Sequence, residues 1–378
     1  MSTTSTDKPK DILLIGYGAV GAVYAFILSR GGARVTVAAR SNFRAVDEKG
    51  LDVRSEKYGE HLGWRPHRIV GSVADAADQA YDYVVWTTKA LPELTTSPEL
   101  LAPLLDPAYT SKFAQPVYVN MQNGLDVERD LYEALVKVGH KPQIIGTAVY
   151  IGTKMGGENT LIHSTFDRLS LGVYRYDDYT SATNSPEETA ILEPFASLLT
   201  TGGSSATIVP DIQRVKFNKN FWNVAFSSTV ALTRHPLTAL FCPPAPPSSG
   251  TVPASAAQGL KLEEFAVPAL KGALHELVTL ARAIGWSDAE DTGVPVSHVH
   301  NTFENTAKLH RVPDNGLMPS MLVDTLAGRP IEVEVIFGNV VRLARRFGVE
   351  TPRIDLLYAL LLVLQNQMLQ KYEAAKRS

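Results

Sequence analysis

Residues 11–21 read DILLIGYGAVG, and the reading of this stretch decides the architecture. Ile12, Leu13, Leu14 and Ile15 form a short apolar run that enters Gly16-Tyr17-Gly18-Ala19-Val20-Gly21, and an apolar, helix-compatible segment follows over residues 22–28. A strand passing through G-x-G-x-x-G into a helix is the context in which that spacing holds a dinucleotide. The first glycine allows the tight turn, the second lets a pyrophosphate approach the backbone, and the third lets helix and strand pack closely. The helix N-terminus then offers free N–H groups and the positive end of its dipole to the phosphates. A purely structural glycine-rich turn is the alternative.

Working outward, Gly31-Gly32 closes the helix, and residues 33–39 read as the second strand. Asp or Glu at the end of that strand would bond the ribose 2′-hydroxyl of NAD. This chain instead has Arg40-Ser41-Asn42 and then Arg44. A guanidinium there suits the 2′-phosphate of NADP through charge-assisted bonds, the alternative being a solvated surface Arg. Residues 51–71 read as a β excursion, 82–87 and 117–121 as buried strands. The latter two are followed by Thr88-Lys89-Ala90 and Gln122-Asn123-Gly124. Polar residues just past strand ends line the ligand edge of a doubly wound sheet, which makes Lys89 and Asn123 site candidates. A surface Lys and a turn-forming Asn are the bland readings of the same two positions. Residues 144–173 hold two β-like pieces with Gly156-Gly157 as a hairpin turn, and His163 between them reads as structural or surface because nothing near it in sequence pairs with it. A helix over 188–199 and a strand over 206–209 complete this part.

From Asp211 onward the pattern is helical. A boundary near Pro210 therefore predicts a Rossmann-type α/β dinucleotide-binding domain over 1–210 and an all-α substrate and catalytic domain over 211–378. The length of 378 residues suits two domains. The Pro- and Ser-rich residues 241–253 read as an irregular loop. Helices are expected over 258–284, with Pro268 as a kink or restart, and over 296–309, 331–347 and 353–372. Gly348 and Pro352 punctuate the last two. The Leu face of the final helix (Leu356, Leu357, Leu360, Leu361, Leu364) reads as core or as a homodimer contact.

Composition narrows the functional classes. Net charge is −3 without a large basic block, which disfavours nucleic acid as a partner. The single cysteine, Cys242, excludes a cysteine metal cluster, and the nine His show no H-x-x-x-H or Cys/His ligand cluster, so no metal is expected. No apolar run reaches membrane-spanning length, and the polar start MSTTSTDKPK lacks the apolar centre of a secretory signal, so the expectation is a cytoplasmic protein with no membrane partner.

Two sets of residues carry chemistry. Lys219, Asn223 and Ser227, at i, i+4 and i+8, make one polar stripe on a helix, flanked by Phe217, Phe221, Trp222 and Phe226. An ammonium and an amide among aromatics are costly unless used, although an isolated helical Lys is ordinarily solvated and Lys216 is a rival one turn earlier. A second set, Gly316 to Asp324, contains Ser320 and is followed by Glu332 at the start of the next helix, where a carboxylate also has a plain dipole explanation. Asp324 has an equally plain reading as a capping or pairing residue.

Taken in order, Gly16-Tyr17-Gly18-Ala19-Val20-Gly21, Arg40, Thr88-Lys89-Ala90, Gln122-Asn123-Gly124, Lys219 with Asn223, and Ser320-Met321-Leu322-Val323-Asp324 followed by Glu332 resemble the ketopantoate reductase (2-dehydropantoate 2-reductase) family. The resemblance runs from residue 11 to the neighbourhood of residue 350. It implies an NADP(H)-dependent oxidoreductase of pantothenate biosynthesis that reduces a small 2-oxo acid. Lys219 would protonate the carbonyl oxygen as hydride arrives, and Glu332 would assist through substrate, ribose or Lys219. Asn123, Asn223 and Ser320 would hold the keto acid, with Ser227 beside them. Lys89 and Asn123 would line the cofactor–substrate cleft, and Arg40 would hold the 2′-phosphate. A cation and amide donors at the oxygen where charge develops stabilise the transition state more than the ground state.

The chain departs from the family pattern at Ser227, where a second Asn is usual, at Leu317, where a polar residue is frequent, and in the inserted loop over 241–253. These departures allow a larger or more apolar 2-oxo acid. They also keep open a reductase of another carbonyl or imine on the same fold, or a non-catalytic NADPH-binding sensor, although a sensor has no need of the Lys219/Glu332 pair.

Overall fold

The computed structural model describes residues 8–241, 261–312 and 318–377. The chain divides into two compact units, residues 1–215 and 216–378. The first is a ten-stranded mixed sheet with helices, the second is helical. The expected α/β domain followed by an all-α domain is therefore what the chain forms. Among the described residues no helix is long and apolar enough to cross a membrane. Leu317 and nearly all of the 241–253 loop lie outside the described residues.

In the first unit, β1 (Asp11–Ile15) leads into α1 (Ala19–Arg30) and returns as β2 (Arg34–Ala38). After α2 (Phe43–Lys49), three strands make the β excursion: β3 (Leu51–Ser55), β4 (Gly59–Trp64) and β5 (Arg68–Val70). Next come α3 (Val73–Ala76), β6 (Tyr83–Trp86), α4 (Ser97–Leu105), α5 (Pro107–Thr110), β7 (Val117–Asn120) and α6 (Arg129–Lys137). The unit ends with β8 (Ile144–Met155), β9 (Thr160–Val173), α7 (Pro186–Thr201) and β10 (Ser205–Ile208). The strand order is β4-β3-β9-β8-β7-β6-β1-β2-β5, with β10 paired to β9. From β5 to β8 every neighbouring pair is parallel, and the direction of winding reverses between β1 and β6. Ligands of such sheets bind outside the carboxyl ends at that reversal.

The parallel strands at the centre of the sheet are buried on both faces, and β1 shows why its sequence has no polar alternation. Ile12 and Leu14 pack with α1 and α7, whereas Leu13 and Ile15 pack with Leu101, Leu104, Leu131 and Leu135 on the other side. A strand covered on two faces reads as a continuous apolar run. Helix α1 is likewise enclosed, with residues Gly21 to Leu28 all buried, so it has no polar face. Helix α7 begins earlier than expected because Ser185 and Glu188 form a capping box around Pro186 at the first turn.

The second unit contains the following parts. Helix α8 (Ile212–Trp222) runs into a π-helical turn at Asn223–Ser227 and continues as α9 (Ser228–Thr233). Then follow α10 (Thr238–Phe241), α11 (Leu262–Ile284), α12 (Ser297–His310) and α13 (Ser320–Leu326). A second π turn at Glu334–Gly338 opens α14 (Asn339–Arg346), and α15 (Pro352–Arg377) ends the chain. Pro268 neither ends nor restarts α11. The single regular helix expected over 331–347 is interrupted by the second π turn. Phe217, Phe221, Phe226 and Phe337 are fully buried and form the aromatic centre of the unit, where Phe226 meets Phe303 at 5.0 Å. Buried Glu276 accepts from the backbone N–H groups of Arg353 and Ile354 and from the Arg353 guanidinium, which caps the start of α15.

Candidate functional site

The dinucleotide fingerprint occupies the carboxyl end of β1, and its three glycines have separate physical reasons. Gly16 has φ of +95°, a conformation that favours glycine, and a Cβ there would lie 2.9 Å from Thr88 Cγ2. A Cβ on Gly21 would lie 1.9 Å from the Gly16 carbonyl oxygen, so the crossing of helix and strand requires its absence. Gly18, at the N-cap of α1, is different. A Cβ there would meet no atom within 4 Å, so the glycine keeps open space before the helix N-terminus. The first turn of α1 carries no acidic residue. Backbone N–H groups, a positive dipole end and open space fit the phosphates of a dinucleotide.

Several neighbours hold that loop. Thr87 Oγ1 donates to the Gly16 carbonyl at 2.7 Å, and Asn42 Nδ2 donates to the Tyr17 carbonyl at 2.8 Å. Tyr17 takes part through its backbone, because its side chain is buried in the core and burial pushes its hydroxyl pKa up. Ala19 and Val20 form the first turn of α1. Arg40 is exposed just past β2, and Lys89 is exposed just past β6. Asn123 is half-buried past β7. The neighbour of Asn123, Gln122, ties the last two loops together. Gln122 Oε1 accepts from the Trp86 indole at 2.8 Å, and its Nε2 donates to Thr88 O at 2.9 Å and Thr88 Oγ1 at 3.0 Å. Sequence reading missed the parts played by Asn42, Thr87 and Gln122. A Thr two residues before Lys89 and an Asn two after Arg40 were the available signals.

In the second unit, Lys219 sits on α8 with part of its surface accessible, and its pKa is pushed down to about 8. Burial is the main cause. The Glu332 carboxylate opposes it, and the Lys216 ammonium adds to the depression. Glu332 is 5% exposed and Lys216 6%, so this is a largely enclosed set of three charges. Glu332 lies just before the helical residues that lead into the second π turn.

The regular i, i+4, i+8 stripe is corrected by the structure. Asn223–Ser227 is a π turn, so Ser227 leaves the helix at a different azimuth from that of an α-helix. Ser227 is 3% exposed and its hydroxyl faces Asn223 Oδ1 at 3.5 Å, while Asn223 Nδ2 faces Asn220 Oδ1 at the same distance. Asn220, 2% exposed and overlooked because it falls beside the stripe, donates to the Ile336 carbonyl in the second π turn at 2.9 Å. Ser320 stands exposed at the start of α13, which packs on the first π turn. Asp324 pairs with Arg329 at 2.8 Å, the plain role open to it from the sequence.

His163 is structural, one of the two roles expected of it, but not for lack of a partner. It is 1% exposed and does have partners: Ser55 Oγ at 2.8 Å, and Asp167 Oδ2 at 3.7 Å. Burial lowers its pKa, and Ser55 Oγ already accepts from the N–H groups of Lys57 and Tyr58, so the group is a structural tie between β3 and β9.

Comparison with known proteins gives the family and the fold of the chain. Residues 12–176 match the family model described as ketopantoate reductase PanE/ApbA, and residues 211–365 match the ketopantoate reductase PanE/ApbA C-terminal model. An uncharacterized protein of Saccharomyces cerevisiae is 25% identical over 95% of each chain. The crystal structure of 2-dehydropantoate 2-reductase from Methylococcus capsulatus matches with a TM-score of 0.70 at 25% identity, covering 95% of this chain and 97% of that one. D-mandelate dehydrogenase, solved with NADH and anilino(oxo)acetate, matches with a TM-score of 0.70 at 16% identity over 95% and 99% of the chains, a likeness of fold alone.

Proposed function

This chain belongs to the ketopantoate reductase family, and on that footing we propose that it reduces a 2-oxo acid to the 2-hydroxy acid with NADPH, Lys219 acting as the general acid. Members of the family are NAD(P)H-dependent oxidoreductases of 2-hydroxy acids. The observation that carries the reading is the partly accessible Lys219 ammonium under the influence of buried Glu332, with a pKa of about 8. An acid with that pKa is protonated at neutral pH and close enough to the ambient pH to give its proton up.

The cofactor supplies the hydride. The α1 N-terminus and the backbone beside Gly18 hold its pyrophosphate, and Arg40 takes the 2′-phosphate in a charge-assisted pair. Lys89 and Asn123, on the loops after β6 and β7, are assigned to the cofactor. Lys219 donates its proton to the carbonyl oxygen as negative charge grows there. Glu332 keeps the ammonium charged until that moment, and Asn223 and Ser320 orient the keto acid. Ketopantoate is the first substrate in line. A second reading, a branched or aromatic 2-oxo acid, is favoured by Ser227, whose buried hydroxyl is turned to Asn223 and offers a distal substrate hydroxyl little.

The test is NADPH consumption with ketopantoate and with branched and aromatic 2-oxo acids, using parent and Lys219→Ala protein. Turnover of any of them that disappears in the variant supports the reading. Turnover that survives within a few-fold removes Lys219 as the acid, and no consumption with the whole panel removes the 2-oxo acid.

A further inference from the structure

Asn220 is a buried polar side chain that joins two segments of the second unit far apart in sequence, and the proposed chemistry does not use it. It is 2% exposed. Its amide nitrogen donates to the Ile336 carbonyl at 2.9 Å, and its amide oxygen faces Asn223 Nδ2 at 3.5 Å. It follows Lys219 directly in the chain and precedes the first π turn, Asn223–Ser227. Its acceptor, Ile336, is the middle residue of the other π turn, Glu334–Gly338, which begins two residues after Glu332.

The two π turns abut each other. A π turn widens the helix and loosens the carbonyl ladder, so a side-chain donor on Ile336 does work the backbone does less well there. The bond is buried on both sides, and its loss would leave a carbonyl and an amide desolvated without a partner. Longer bonds from Asn223 and Ser227 extend the chain of contacts to the residues proposed to meet substrate.

We propose that Asn220 is a positioning residue that fixes the spacing of Lys219 and Glu332 by bonding one π turn to the other. The role rests on the reading of Lys219 and Glu332 given above only for its catalytic meaning; the spacing itself is a physical quantity. The charged groups acting on the Lys219 ammonium are Glu332, which favours the charged form, and Lys216, which opposes it. When Asn220 is lost, the Glu332 segment is free to drift from Lys219. The favourable term weakens, burial continues to act, and the Lys219 pKa falls. At short range in an effective dielectric of about 20, each ångström of added separation is worth roughly half a pH unit.

The experiment is a pH titration of the Lys219 13Cε resonance in protein labelled at lysine, with the signal assigned by its loss in Lys219→Arg. It needs no substrate, so it stands whether or not a 2-oxo acid is turned over. Parent, Asn220→Leu and the milder Asn220→Ser are compared, each folded by thermal unfolding and circular dichroism. The expected result is a midpoint near 8 in the parent that falls by roughly half a unit in Asn220→Leu and by less in Asn220→Ser. Folded variants whose midpoint stays within about 0.1 unit of the parent overturn the proposal. General destabilisation changes the unfolding temperature without moving that midpoint. If Asn220→Leu fails to fold, Asn220→Ser alone decides the matter.

Discussion

The indole nitrogen of Trp86 donates to Gln122 Oε1 at 2.8 Å inside the sheet domain, where Trp86 is fully buried. The same carboxamide donates twice to Thr88, so one side chain holds the loops after β6 and β7 at a set distance. Gln122→Leu removes an acceptor from a buried indole and two donors from Thr88. We expect it to lower stability by about 2–3 kcal/mol in urea unfolding. Trp86→Phe combined with Gln122→Leu should cost less than the sum of the two single changes, because no indole is then left without a partner. Additive costs would mean the bond contributes nothing.

Gly18→Ala and Gly21→Ala should separate stability from binding. A Cβ at Gly21 collides with a backbone carbonyl that has little room to move, so Gly21→Ala is expected to lower stability by about 3 kcal/mol. A Cβ at Gly18 meets nothing, so Gly18→Ala should remain within about 1 kcal/mol of the parent. Its dinucleotide affinity, read by calorimetry, should still fall by about tenfold or more, since the methyl fills space before the α1 N-terminus.

The pH dependence of kcat/KM follows from the state of Lys219 in the unliganded protein. A general acid acts only when protonated, so activity is full below its pKa and is lost as pH rises through about 8. Glu332→Gln removes the charge that favours the ammonium, and the basic limb should move to lower pH. Lys219→Ala should lower kcat by roughly 100- to 10,000-fold with little change in dinucleotide affinity. A basic limb that stays in place in Glu332→Gln would disconnect the two residues.

Arg40→Asp tests the cofactor preference. Loss of a charge-assisted pair to a 2′-phosphate, with repulsion in its place, should weaken NADPH binding by about 100-fold. NADH binding should change by no more than a few-fold. Equal losses for the two nucleotides would place Arg40 away from the 2′ position.

What the sequence discloses and what it hides divide along physical lines. The Gly16–Gly21 fingerprint is local: turn, cap and close packing are all specified within a few residues, so the expected strand–turn–helix geometry is what the chain forms. The paired strands and the hairpin of β8 and β9 follow from apolar runs and turn residues in the same way. The π turns do not, because they depend on a choice between i+4 and i+5 bonding that composition hardly affects, and Asn220 was lost with them. Periodicity also failed to separate Lys216 from Lys219. Both lie on α8, and only packing makes the first nearly inaccessible and the second partly open. His163 looked isolated because Ser55 lies on β3, across a strand pairing that no local pattern announces, and because its partners nearer in sequence, the Phe166 carbonyl and Asp167, are set by the local course of β9.

That pairing also governs how the sheet is assembled during synthesis. Residues 52–55 of β3 lie alongside 160–163 of β9, and β4 has no strand neighbour except β3. While the chain is emerging, the β3–β4 hairpin, complete at residue 64, must wait for residues 160–163 before its inner edge is covered. A fragment arrested before β9 would carry two open strand edges, a ready template for pairing with another nascent chain.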